Sequence, residues 1–75
     1  MSYKYKGMIV NPRTDGPSSD SQYSAYLIIS KMYGSHADEY VYYVPGRFKS
    51  KELALETALH FGKVKVDELL LSAVV

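Results

Sequence analysis

Only one stretch of this chain, residues 48–67, carries the pattern of a long helix, and the rest of the fold has to be built around it. Ser50 is placed as an N-cap, able to accept from the free N–H groups of the first turn, and Glu52 lies near the positive end of the helix dipole. Gly62 stands where a left-handed C′ residue would end the helix, with Lys63 and Lys65 near its negative end. At about 100° per residue, Leu53, Ala54, Thr57, Ala58 and Phe61 fall on one side as an apolar stripe. The two alanines are small enough to let that side approach a sheet closely, and Phe48 would staple the start of the helix. Leu55 and Leu59 lie off the stripe, an i,i+4 pair on the flank shared with Glu52 and Glu56. They need a second cover.

The segments before the helix read as strands. Residues 3–10 alternate Tyr3, Tyr5, Gly7 and Ile9 against Lys4, Lys6, Met8 and Val10, the period of a first strand, with a bulge or a close backbone approach at Gly7. Residues 11–21 gather Asn-Pro, Asp-Gly-Pro and Ser-Ser-Asp-Ser, consecutive breakers that predict a flexible or binding loop. Residues 22–32 carry large apolar groups on both faces around Leu27 and Ile29, as a central strand does. A turn over residues 33–38 leads to a third strand, residues 39–44, closed by Pro45 and Gly46. The prediction is an α+β domain spanning residues 1–75: a three-stranded antiparallel sheet followed by one main helix packed on one face, β-β-β-α. The apolar tail, residues 68–75, is expected as a short helix or an extra strand. It would cover Leu55 and Leu59 or pack on a second copy.

At 75 residues, folding buries only about 60% of the unfolded surface, so association is a ready way to gain burial. The chain has no cysteine, which removes disulfides and Cys-based zinc sites and fits a reducing cytoplasm. Nine lysines and arginines against eight acidic residues give a net charge of +1, without the basic excess of a duplex-binding domain. The first residues form no apolar signal core, and no apolar run reaches the roughly 18 residues of a membrane span. A soluble cytoplasmic protein with no membrane partner is the expectation.

Tyr5-Lys6-Gly7 near the start, Phe48, Ser50, Glu52 and Ala54 at the helix, then Phe61-Gly62-Lys63 and Asp67, resemble a group of small bacterial proteins. Those proteins have an N-terminal Tyr-x-Gly strand and a helix ending in Phe-Gly-Lys or Phe-Gly-Arg. The resemblance implies the β-β-β-α fold and brings no catalytic residues. Phe48, Ser50, Glu52 and Ala54 are also similar to the Phe-x-Thr-x-Glu-Glu-Ala helix of AP2-type and integrase N-terminal DNA-binding domains, which read DNA from the open face of a three-stranded sheet. The arginines and tryptophans of those sheets have no counterpart here.

Eight tyrosines and no tryptophan are the compositional anomaly. Rings on an uncovered sheet face would form a stacking platform, and Tyr3, Tyr5, Tyr23 and Tyr43 with Lys31 and Arg47 are the candidates for a nucleic-acid or ligand face. The plainer reading is that tyrosine suits half-buried strands and cross-strand pairing. His36 lies in a turn beside Asp38 and Glu39, and Glu56 with His60 has helix-face spacing, but two ligands are too few for a structural zinc site. No nucleophile elbow, phosphate-binding glycine motif or catalytic carboxylate pair is present, so no enzyme activity, cofactor or metal is expected. Leu55, Leu59, Leu69, Leu70, Leu71 and Val74 are the candidate partner interface, directed at a second copy or another protein. The expected function is a small non-enzymatic interaction module that self-associates through the helix flank and tail, with nucleic-acid binding by the sheet as the alternative.

Overall fold

The structure, a computed structural model, describes residues 2–74, with side chains to residue 71. Four strands precede the helix: β1 (Tyr3–Tyr5), β2 (Met8–Asp15), β3 (Tyr23–Tyr33) and β4 (His36–Phe48), then α1 (Lys51–Val74). They form one antiparallel sheet in the order β1-β2-β3-β4. The α+β class and the terminal helix are as the sequence predicts; the strand count is four, not three.

The extra strand comes from a turn hidden inside an unbroken alternation. Lys6 (φ 51°) and Gly7 (φ 83°) both take the left-handed region, and Tyr5 pairs with Met8. Two central residues with positive φ make a type I′ hairpin, whose twist matches that of its flanking strands. The chain therefore reverses at Gly7 instead of bulging there, and Tyr3 and Tyr5 end up beside Val10 and Met8 on one face.

The predicted loop also shortens. β2 continues through Asp15, so only residues 16–22 connect it to β3. Pro12 is tolerated because β1 accompanies β2 no further than Val10, and proline fits an edge stretch where no ladder bond is lost. The connection is closed by its own backbone: Ser18 N–H donates to Gln22 O (2.8 Å) and Ser21 N–H to Ser18 O (2.9 Å). β3 and β4 are joined by Gly34-Ser35 and stay in register from Tyr33↔His36 to Ala25↔Val44. An irregularity follows, and β4 carries Pro45 and Gly46 past it before Phe48 rejoins β3 opposite Tyr23.

Ser50 caps α1 as predicted. Its Oγ accepts from Leu53 N–H (3.1 Å) and its carbonyl from Ala54 N–H (3.1 Å). The helix does not end at Gly62. It runs 24 residues, about 36 Å, and takes up the apolar tail. Gly62 is buried at the closest approach of helix to sheet, where a Cβ would lie 2.6 Å from Val10 Cγ1 and 3.3 Å from Tyr3 Oη. The glycine provides clearance, and the buried row is correspondingly Ala54, Ala58, Gly62 and Val66 at four-residue spacing. Phe61, Leu69 and Leu70 pack at its margins. Leu53, assigned to the stripe from sequence, is exposed, and half-buried Thr57 donates its hydroxyl to Leu53 O (2.8 Å). Beneath the row lie Met8, Val10, Ala25, Leu27, Ile29 and Val44. Tyr3 completes the seam by donating its phenol to Leu59 O (2.8 Å).

Gly62→Ala isolates this contact. In an open helix the change gains about 1 kcal/mol from propensity, whereas overpacking a closed core costs about 1–3 kcal/mol. The structure predicts net destabilisation in urea unfolding, relieved when Val10→Ala is added. A neutral or stabilising Gly62→Ala would show that the helix does not sit this close.

Candidate interaction surface

Strand alternation sends one set of side chains under the helix and the other to the opposite side of the sheet. That opposite face is built from cross-strand rows: Arg13, Tyr26 and Tyr43; Asn11, Ile28 and Val41; Lys4, Ile9, Ser30 and Glu39; then Met32 beside Ala37. The helix lies on the other side. Tyr43 is 78% exposed, Met32 55% and Val41 52%, while Ile9, Tyr26 and Ile28 are half-buried by their neighbours. The Tyr26 and Tyr43 rings sit 6.0 Å apart at a 38° tilt, within the range of favourable aromatic pairs. Lys4 and Arg13 are balanced on this face by Asp15 and Glu39, and Glu39 accepts from the Ser30 hydroxyl (3.4 Å). The surface is an apolar, aromatic strip in a charge-neutral surround.

The tyrosine and cation set chosen from sequence is not brought together. Only Tyr43 lies on the open face. Tyr3, Tyr5 and Tyr23 pack against the core on the helix side. Burial is the main cause that raises the Tyr3 phenol above its ordinary pKa, which keeps the hydroxyl protonated as the donor to Leu59. Lys31 lies over the Tyr33 ring (5.1 Å), and Arg47 is tied to the β2–β3 connection, 3.4 Å from Ser18 Oγ and 3.8 Å from Asp20. Tyr26, Ile28 and Met32 share one face of β3 by alternation, and no sequence signal singles them out. The covered face is the one with Val10, Leu27 and Ile29, and the glycine that lies against it, Gly62, read as a stop.

The helix flank divides into two patches. Leu55 and Leu59 meet Pro12 between Glu52 and Glu56, around a shallow apolar depression of about 310 Å³. Leu69 and Leu70 pack on the core, and Leu71, 70% exposed, shares a second depression of about 320 Å³ with Leu70, Lys6 and Asp67. The side chain of Val74 lies outside the described residues. Between the patches stands Lys63, 5.9 Å from the Tyr5 ring, and an ion pair lines the second. The tail thus extends along the helix axis and does not fold back over Leu55 and Leu59.

That ion pair fastens β1 to the helix. Lys6 Nζ lies 2.8 Å from Asp67 Oδ1, and the Tyr5 phenol donates to the same carboxylate at 3.3–3.4 Å. The hydrogen bond from Lys6 holds the Asp67 carboxyl below its ordinary pKa, and the same bond raises Lys6. Both groups are exposed, so salt screens much of the attraction.

The remaining polar groups serve local structure. His36 Nε2 is 3.1 Å from Asp38 Oδ1, and His60 points outward from the helix. Among the described residues, no group of three or more His, Asp or Glu side chains is placed to hold a metal ion. Asp15, Gly16, Ser18, Gln22 and Arg47 line a polar depression of about 460 Å³, where Ser18 donates to Asp20 and Gly16 N–H to Asp15. Among the described residues, no helix is long and apolar enough to cross a membrane. Comparison with protein-family models, with curated proteins and with solved structures gives no match.

The Lys6–Asp67 tie has a defined pH signature. A carboxyl with a depressed folded-state pKa stabilises above its unfolded value, here 3.8, and that contribution is lost as the pH falls through the lower folded value. Thermal unfolding should show Asp67→Asn below wild type by a constant margin near neutral pH, with the two converging in acid well below 3.8. A margin unchanged in acid would mean that the carboxylate charge is not involved.

Proposed function

We propose that this chain is a small protein-interaction module that self-associates, with its contact surface on the sheet side of the molecule. The proposal assigns it no reaction. The observation that carries the reading is the row of Tyr26 with Tyr43, Ile28 with Val41, and Met32 on a face that the helix does not cover. Four strands about 4.8 Å apart, the longer ones about 36 Å in length, give a face of roughly 500–700 Å². Apolar area of this kind contributes about 25 cal/mol per Å² when removed from water.

The helix flank is the weaker surface of the two. Its Leu59 and Leu71 lie about 18 Å apart along the axis, with Lys63 between them and the Lys6–Asp67 pair at the rim of the second patch. Placing two such flanks antiparallel, with Leu55 against Leu71, sets Lys63 against Lys63. Nucleic-acid binding draws support from the Tyr26–Tyr43 ring pair with Arg13 in the same row. The balance of Lys4 and Arg13 by Asp15 and Glu39 weighs against it, because phosphate binding needs a surplus of cations.

Multi-angle light scattering over a concentration series tests the proposal. Wild type should approach twice the monomer mass. Val41→Lys, in the sheet surface, should return it to monomer, and Leu55→Lys should leave the dimer intact. The opposite pattern would move the contact to the helix flank, and a strict monomer at the highest attainable concentration would end self-association. Oligonucleotide binding that weakens steeply with salt and is lost in Tyr43→Ala would favour the nucleic-acid reading.

A further inference from the structure

The two edges of this sheet are protected very differently. Exposed strand edges are normally blunted by shortness, lysine or proline. At one edge β1 has three residues with Lys4 among them, and β2 beyond it carries Pro12. The other edge is β4, with 13 residues, paired only with β3. Its middle reads Tyr40-Val41-Tyr42-Tyr43-Val44, with no charge, glycine or proline. Such a composition favours strand pairing, and Asp38, Glu39 and Pro45, the groups that would blunt it, stand only at its two ends. The helix lies mainly against β2 and β3 and reaches β4 less, with Lys65 5.6 Å from the Tyr42 ring, and Tyr40 and Tyr42 stay half-buried.

We propose that β4 pairs antiparallel with β4 of a second copy about a twofold axis at Tyr42, joining two four-stranded sheets into one of eight strands. This rests on the self-association reading alone and sets the contact at the edge of the sheet, with the two open faces side by side instead of against each other. A twofold axis normal to the sheet keeps each residue on its own face. It sets Val41 opposite the partner's Tyr43, Tyr40 opposite the partner's Val44, and Tyr42 opposite itself. Every off-axis pair in the stretch then joins an aromatic to a β-branched side chain, a favourable cross-strand combination.

Neighbouring registers lose this match. An axis at Val41 brings Glu39 opposite Tyr43 and Asp38 opposite Val44; an axis at Tyr43 brings Pro45 opposite Val41 and Gly46 opposite Tyr40. With the axis at Tyr42, Glu39 and Asp38 meet Pro45 and Gly46 at the ends of the ladder, and no carboxylate faces another. The near-palindrome of tyrosine and valine is what identifies the partner as a copy of this chain. The two open faces become one continuous apolar strip.

The chain has no cysteine, so single cysteines report the register directly. Directly opposed residues lie within disulfide reach, whereas residues displaced diagonally by two are about 7–8 Å apart, beyond it. Under mild oxidation Tyr42→Cys should form a linked dimer. An equimolar mixture of Val41→Cys and Tyr43→Cys should form the mixed dimer, with each variant alone linking about tenfold more slowly or less. Circular dichroism confirms that each variant is folded, and the exposed Val41 and Tyr43 positions report even where Tyr42→Cys is destabilised. Efficient self-linking of Val41→Cys would overturn the register. Dimers that link through Leu55→Cys, with no β4 variant linking, would overturn the edge and leave self-association standing. Absence of any dimer would overturn both.

Discussion

The close seat of α1 on β2 governs the rest of the molecule. Val10 Cγ1 occupies the space that a side chain at position 62 would need, so the helix can lie this low only because that residue is glycine. Ala54 and Ala58 extend the same shallow row, and Tyr3 reaches across it to the carbonyl of Leu59. A helix is about 10 Å across, and four strands spaced at about 4.8 Å are nearly twice as wide. Once the helix is seated over β2 and β3, β4 lies near or beyond its margin. The strand order makes β4 an edge, and the seat of the helix leaves that edge beside it.

A single helix also covers a single face. It leaves Tyr43, Val41 and Met32 exposed on the far side. Isolated exposed apolar residues are ordinary on protein surfaces, but a register that lines them up on adjacent strands makes a contiguous patch. The polar groups of the helix side, by contrast, are spent on holding the fold. Tyr5, Lys6 and Asp67 tie the first hairpin to the helix, and Lys63 and Lys65 lie over the Tyr5, Tyr42 and Phe61 rings. That division is why the exposed apolar strip falls on the sheet and the charged, hydrogen-bonded seam falls beside the helix.

Much of this architecture is legible in the residues. The alternation of β3, the Tyr and Val content of β4 and the cap at Ser50 each follow from local chemistry, and each is found in place. The two misreadings share a cause. Gly7 and Gly62 are both glycines inside a regular pattern, and pattern alone does not say whether a glycine serves a bulge, a turn, a stop or a close approach. At Gly7 the answer lies in the paired positive φ of Lys6; at Gly62 it lies in Val10, 52 residues away in the chain. Because Gly62 read as a stop, Val66 fell outside the predicted stripe and Leu53 inside it, and the covered face of the sheet stayed undetermined. The Tyr43 part of the surface was visible as an exposed strand tyrosine. Its partners Tyr26, Ile28 and Met32 needed both the register and the side on which the helix lies.

The central claim is that the β4 edge is where this molecule meets its copy. Residue-resolved amide hydrogen exchange across a dilution series measures it most directly. The account predicts that amides of residues 40–44 directed away from β3 become protected as concentration rises, while those of the Leu55–Leu59 turn stay as they are. Outward β4 amides that exchange freely at every concentration, with the protein dimeric, would contradict it.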